Sequence, residues 1–114
     1  MTVFASVSEP LLAALAQQDE EKAIKVRVDA MERLNTLRLP TRDAQAVGRW
    51  MMQQAREQLP TSLDVSALQA ILHRLYVSAC ELFGPVVVDR LLAEAVARAE
   101  RLPAAQEFAP RRLL

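Results

Sequence analysis

The stretch DEEKAIKVRVDAMERLNTL, residues 19–37, decides the fold. Asp19, Glu20 and Glu21 open it with acids that favour a helix N-terminus, and strong helix formers fill most of it. Glu21, Lys25, Asp29 and Arg33 alternate in sign at the i,i+4 spacing where side chains meet along one face of an α-helix. Turned about 100° per residue, Ile24, Val28 and Met31 fall on one stripe, and Val26, Ala30, Leu34 and Leu37 on an adjoining one. The two stripes together span roughly 200°, against about 100° for an ordinary surface helix. A helix so broadly apolar is expected between two packing partners, within the domain or across an interface. Pro40 closes the stretch.

Outward from this helix, prolines divide the chain into similar blocks. A first helix is expected over 8–18, with Ser8 as N-cap and Pro10 in the first turn. The second is expected over 19–38. A third covers 42–58, with Thr41 as N-cap and Val47, Trp50, Met51 and Ala55 facing inward, up to Leu59-Pro60. The fourth covers 64–83, capped by Asp64 or Ser62, and buries Leu68, Leu72, Leu75, Ala79 and Leu82. Gly84-Pro85 stops it, the glycine being free to take a left-handed C′ conformation. The fifth covers 86–102 on Val88, Leu91, Leu92, Ala95, Ala99 and Leu102, with Val86–Val88 either helical or an extended lead-in. A tail, 103–114, carries Phe108, Leu113 and Leu114. The fold class is all-α: one domain over 1–114, a four- or five-helix bundle with a short C-terminal tail that packs back or onto a partner.

Composition narrows the function. A hydrophobic share of 52% sets the chain apart from disordered polar tails. Lys and Arg number 14 against 14 Asp and Glu, which gives no electrostatic case for nucleic acid or a membrane surface. One cysteine, Cys80, cannot build an intrachain disulfide framework or a cysteine zinc site. Two glycines are too few for a P-loop or a dinucleotide fingerprint. No apolar run approaches the ~20 residues of a membrane span. The N-terminal residues lack the basic and apolar regions of a secretory leader, so the cytoplasm is the expected compartment. No Glu-x-x-His motif or nucleophile elbow is present, so neither a cofactor, a metal nor a small-molecule substrate is expected.

Three features remain. Arg42, Arg49 and Arg56 recur every seven residues opposite the Val47/Met51 face, a stripe of forks suited to carboxylates or phosphates. Val26, Leu34, Leu37, Trp50, Met52, Phe108, Leu113 and Leu114 form an apolar surplus beyond the obvious needs of one small bundle. His73 lies about 140° from the Leu68 direction on the fourth helix. Cys80 follows it on nearly the same side, about 10 Å away and too far to share a metal. The pattern around this histidine, His73, Leu75, Ser78, Ala79 and Gly84, resembles that of histidine phosphotransfer domains, which are four-helix bundles of about this size. Tyr76 stands in the place of that family's lysine and Val77 in the place of its glycine. The resemblance implies a degenerate signalling bundle acting through the His73 face.

The surplus points instead to a non-catalytic helical module. It would be an adaptor, chaperone-like or assembly subunit that binds protein, as a homo-oligomer or with a heteromeric partner. The alternative is the small regulatory or signalling bundle using His73.

Overall fold

A computed structural model describes residues 2–52, 63–102 and 109–114. It contains α1 (Thr2–Gln18), α2 (Glu20–Leu34), α3 (Thr41–Met52), α4 (Val65–Phe83) and α5 (Pro85–Glu100), followed by a 3₁₀ turn at Pro110–Leu113. There is no strand among the described residues. The protein is an all-α bundle.

Helix α1 starts well before Ser8. Phe4, Val7, Leu11 and Leu15 recur at helical spacing and are buried. Pro10 lies inside the helix, where it removes one main-chain hydrogen bond at about 3 kcal/mol. Burial of Phe4 and Val7, about 1.5–3 kcal/mol each, offsets that loss. Ser8 is consequently not an N-cap: it is buried, and its hydroxyl donates to the Phe4 carbonyl at 2.8 Å.

A single residue joins α1 to α2. Asp19 has extended geometry (φ −164°, ψ 105°) and accepts a hydrogen bond from the Lys22 amide through its carboxylate. Its own amide still reaches back to the Leu15 carbonyl at 3.1 Å. Helix α2 ends at Leu34, short of the expected 38. The Thr36 hydroxyl donates to the Arg33 carbonyl at 2.7 Å, and the Leu37 amide closes a tight turn on the Leu34 carbonyl. Leu37 then packs half-buried against the core. Thr41 is the first residue of α3 rather than its cap, since the Pro40 carbonyl accepts from the Ala44 amide at 2.9 Å. The expected continuation of this helix from 53 to 58 falls outside the described residues.

Asp64 caps α4 as expected, accepting from the Ala67 amide at 2.8 Å. Gly84 ends α4 and starts α5 at once. Its amide bonds the Cys80 carbonyl and its carbonyl accepts from the Val88 amide. With φ 85° and ψ 150° it sits in a region essentially reserved for glycine, not the left-handed helical geometry of an ordinary C′ residue. Pro85 occupies the first turn of α5, so Val86–Val88 is helical.

Helices α1, α2, α4 and α5 pack in a ring, each against the next. Lys22 lies over the Phe83 ring, and Arg74 reaches the Thr36 hydroxyl, so α2 and α4 run antiparallel. The Asp19 and Gly84 joints therefore share one end of the ring. Helix α3 lies on α2 and buries Val47, Trp50 and Met51; the Trp50 ring meets Phe4 with centroids 5.4 Å apart. The 3₁₀ turn packs on α1, α4 and α5, with Pro110 and Leu113 buried, so residues 110–113 dock on the chain's own bundle. The Gln69 amide group donates to the Arg112 carbonyl, and Arg111 pairs with Glu100 at 2.7 Å.

Candidate functional site

Helix α2 does not bury both of its apolar stripes. Ala23, Val26, Ala30 and Leu34 face the ring, whereas Ile24 is 44% exposed and Val28 41%. Those two residues are one turn apart and lead along the helix to Met31, which is half-buried. A shallow groove of about 470 Å³ is lined by Met31 of α2 and by Ala44, Gln45, Gly48, Arg49 and Met52 of α3. Met52 is 48% exposed. The Met31 methyl lies over Gly48, 3.7 Å from where a Cβ on that residue would sit, an ordinary van der Waals contact. Charges border the stripe, with Lys25 and Glu21 paired across one turn at 3.7 Å. Scattered apolar residues on a surface are ordinary; here Ile24, Val28 and Met31 follow one another at helical spacing along one side of α2.

The residues of the apolar surplus are divided by the fold. Val26, Leu34, Trp50 and Leu113 are consumed by the chain's own core and offer no surface to a partner. The ring needs Val26 and Leu34 between its helices, Trp50 covers Phe4, and Leu113 seats the tail. Leu37 is half-buried, while Met52 and Leu114 remain exposed. Phe108 and Arg56 lie outside the described residues. Arg42 and Arg49 are exposed on α3, and Arg49 is already engaged by another group of the chain.

A second concavity of about 260 Å³ lies between α4 and α5. Leu72, Leu92, Leu113 and Leu114 line it with aliphatic surface. His73 is exposed at its border, together with Tyr76 and Asp89. The Tyr76 hydroxyl donates to Asp89 at 2.5 Å. That bond, and to a lesser degree the neighbouring Cys80, holds the phenol protonated beyond the usual tyrosine range. Cys80 is a half-buried thiol. No three His, Cys, Asp or Glu side chains converge to hold a metal among the described residues.

Between α2 and α4, Arg33 bonds Asp29 at 2.8 Å and Glu81 at 2.6 Å. Arg33 above all, and next the Ser78 hydroxyl, hold the Asp29 carboxyl below the usual carboxylate range. Ser78 is buried and faces Asp29 without closing a hydrogen bond of ordinary geometry. The two carboxylates in turn hold the Arg33 guanidinium firmly charged.

Reading the sequence one helix at a time misses the Tyr76–Asp89 pair and Leu92's place in the cleft, because the partners lie on different helices. The signal available was the single-residue joint: a hairpin closed at Gly84 brings the facing sides of α4 and α5 together. Comparison with protein-family models, curated proteins and solved structures finds no match to this chain. Among the described residues, no helix is long and apolar enough to cross a membrane.

Proposed function

We propose that this chain is a non-catalytic helical interaction module, working in the cytoplasm, that docks an apolar helix of a partner protein on the outer face of α2 and α3. The observation that carries this is the exposed strip Ile24, Val28 and Met52, next to a helix stripe that the same chain buries fully. Met31 lies on the same side of α2 as Ile24 and Val28 and also lines the groove with Met52, so a partner helix laid along Ile24 and Val28 reaches that groove. The methionines lining the groove adapt to such a helix without strain. Burial of apolar area supplies the affinity, at about 25 cal/mol per Å² before the costs of association.

The test is a paired measurement on wild type and the Ile24→Lys/Val28→Glu double variant. Both substituted positions are exposed, so the variant keeps its helical circular dichroism. Sedimentation of the purified chain reads self-association, and cross-linking in host cells followed by mass spectrometry reads heteromeric partners. A complex of defined mass that the double variant loses supports the module. A wild-type monomer whose cross-linked set equals that of the variant rejects it.

One observation favours the second role, in signalling: His73 is exposed on a bundle helix, as a phosphorylated histidine has to be. Labelling of the wild type by phosphoramidate, lost in His73→Gln, would support that role. An unlabelled chain dismisses it.

A further inference from the structure

We propose that the cleft between α4 and α5 receives a segment of a partner protein in which an arginine adjoins aliphatic residues. The chain's own tail supplies the first argument, because it already docks on these helices by that chemistry. Leu113 is inserted among α1, α4 and α5 at 1% exposure, and Arg111 bonds the Glu100 carboxylate of α5 at 2.7 Å. Asp89 precedes Glu100 by about three helical turns, which puts both carboxylates on the same side of α5. Glu100 holds the chain's own arginine. Asp89 stands over aliphatic surface formed by Leu72, Leu92 and Leu114, and Leu114 is 63% exposed.

The border of the cleft also holds acceptors that the chain leaves unused. The Tyr76 hydroxyl spends its proton on one Asp89 oxygen, leaving the other carboxylate oxygen and the phenol oxygen as acceptors. The Gln69 amide nitrogen is spent on the Arg112 carbonyl, leaving its oxygen as a third acceptor. Arg74 bonds Thr36 toward α2 and Arg90 lines the cleft between α1 and α5, so the base among the cleft's own lining residues is the exposed imidazole of His73. An acceptor-rich, negatively charged border above an aliphatic floor is complementary to a guanidinium on an apolar stem, flanked by leucine-like side chains.

The probe is a fluorescein-labelled peptide amide carrying two Arg-Leu-Leu triplets, titrated with the full chain and followed by anisotropy. Two control peptides replace the arginines by glutamate or the leucines by serine. Saturable binding is expected for the first peptide, weaker by about tenfold for either control and for the Asp89→Asn variant. Asp89→Lys is expected to invert the preference toward the glutamate peptide. Asp89 is exposed, so both variants keep the wild-type circular dichroism. Absence of binding by wild type, or equal binding of the arginine and glutamate peptides, overturns the proposal. An Asp89-dependent dimer that excludes the peptide also overturns it, in favour of a second copy as occupant. The site is separate from the α2/α3 face: the Ile24→Lys/Val28→Glu variant binds the peptide as wild type does, and loss of binding there would count against this placement.

Discussion

The two ends of the four-helix ring are closed by different physics. At one end the chain turns twice through a single residue, Asp19 between α1 and α2 and Gly84 between α4 and α5. Both turns are satisfied almost entirely by main-chain hydrogen bonds and one cap. At the other end, appended elements press side chains onto the ring: α3 lays Trp50 on Phe4, and the 3₁₀ turn inserts Leu113. The first end depends on backbone conformation, which is worth about 1–3 kcal/mol per special residue. The second depends on buried apolar volume, which is worth more per residue and is far less forgiving of truncation. The stability of this bundle should therefore be lopsided, and substitutions at the two ends can measure by how much.

The largest effect is expected at Trp50. It is 2% exposed and ranks among the largest fully buried side chains, so Trp50→Ala should cost about 3–5 kcal/mol in urea unfolding. Phe4→Ala should then add little in the Trp50→Ala background, because the two rings share one contact. Strict additivity would mean that α3 does not cover this end as a unit. Leu113→Ala comes next. The tail can detach without unfolding the ring, so its loss is limited by the docking energy, about 2 kcal/mol. Hydrogen exchange reads this directly: the Leu113 and Leu114 amides should lose protection while those of α1 and α4 keep theirs. A global loss of protection would make the tail part of the core's cooperative unit.

This lopsidedness explains which parts of the fold the sequence displays. Asp64 as a cap and Gly84-Pro85 as a stop are local chemistry, decided by residues within one turn of each other, and they are legible. Pro10 misleads because the penalty it carries is local while the burial of Phe4 and Val7 that overrides it is tertiary. The end of α2 is misplaced for the reverse reason: a Thr36 hydroxyl bonding a carbonyl outcompetes helix continuation toward Pro40. The double apolar stripe of α2 is visible in the sequence, but nothing in its periodicity says which stripe the ring will use. Neither the Trp50–Phe4 contact nor the pairing of Tyr76 with Asp89 has a periodic signature, since each joins separate helices. The candidate surfaces are therefore read only in part from sequence. Met52 and Leu114 are exposed as a contact residue must be, whereas Ile24 and Val28 are recognised only once Val26 and Leu34 are seen facing inward.

At the joint end the expected losses are smaller. Gly84→Ala meets no atom within 4 Å of the new Cβ, so its cost is backbone strain alone, about 1–3 kcal/mol. A thermal midpoint equal to wild type would mean that α5 re-aims itself to relax the strain. Asp19→Ala removes one cap, at about 1 kcal/mol, and Asp19→Asn should restore most of it because the amide oxygen still accepts from Lys22. If asparagine fails to rescue, the carboxylate's charge at the positive N-terminus of α2, rather than its hydrogen bond, governs the joint.

The smallest effect lies between the ends, and only pH reveals it. Arg33 holds the Asp29 carboxyl below its unfolded value of about 3.9, so folding favours the ionised form. The contribution is complete above the unfolded value and is lost as pH falls through the lowered folded value. Asp29 is 35% exposed and Arg33 32%, so solvent screens the pair and its contribution at neutral pH is small. Asp29→Asn should lower the thermal midpoint slightly at pH 7, and the gap to wild type should close as falling pH protonates Asp29 in the folded chain. A gap that persists unchanged into acid would mean that the Asp29 carboxyl contributes by packing near Ser78 and not by its charge. The α2/α4 seam would then belong, physically, with the Trp50 end of the molecule rather than with the joints.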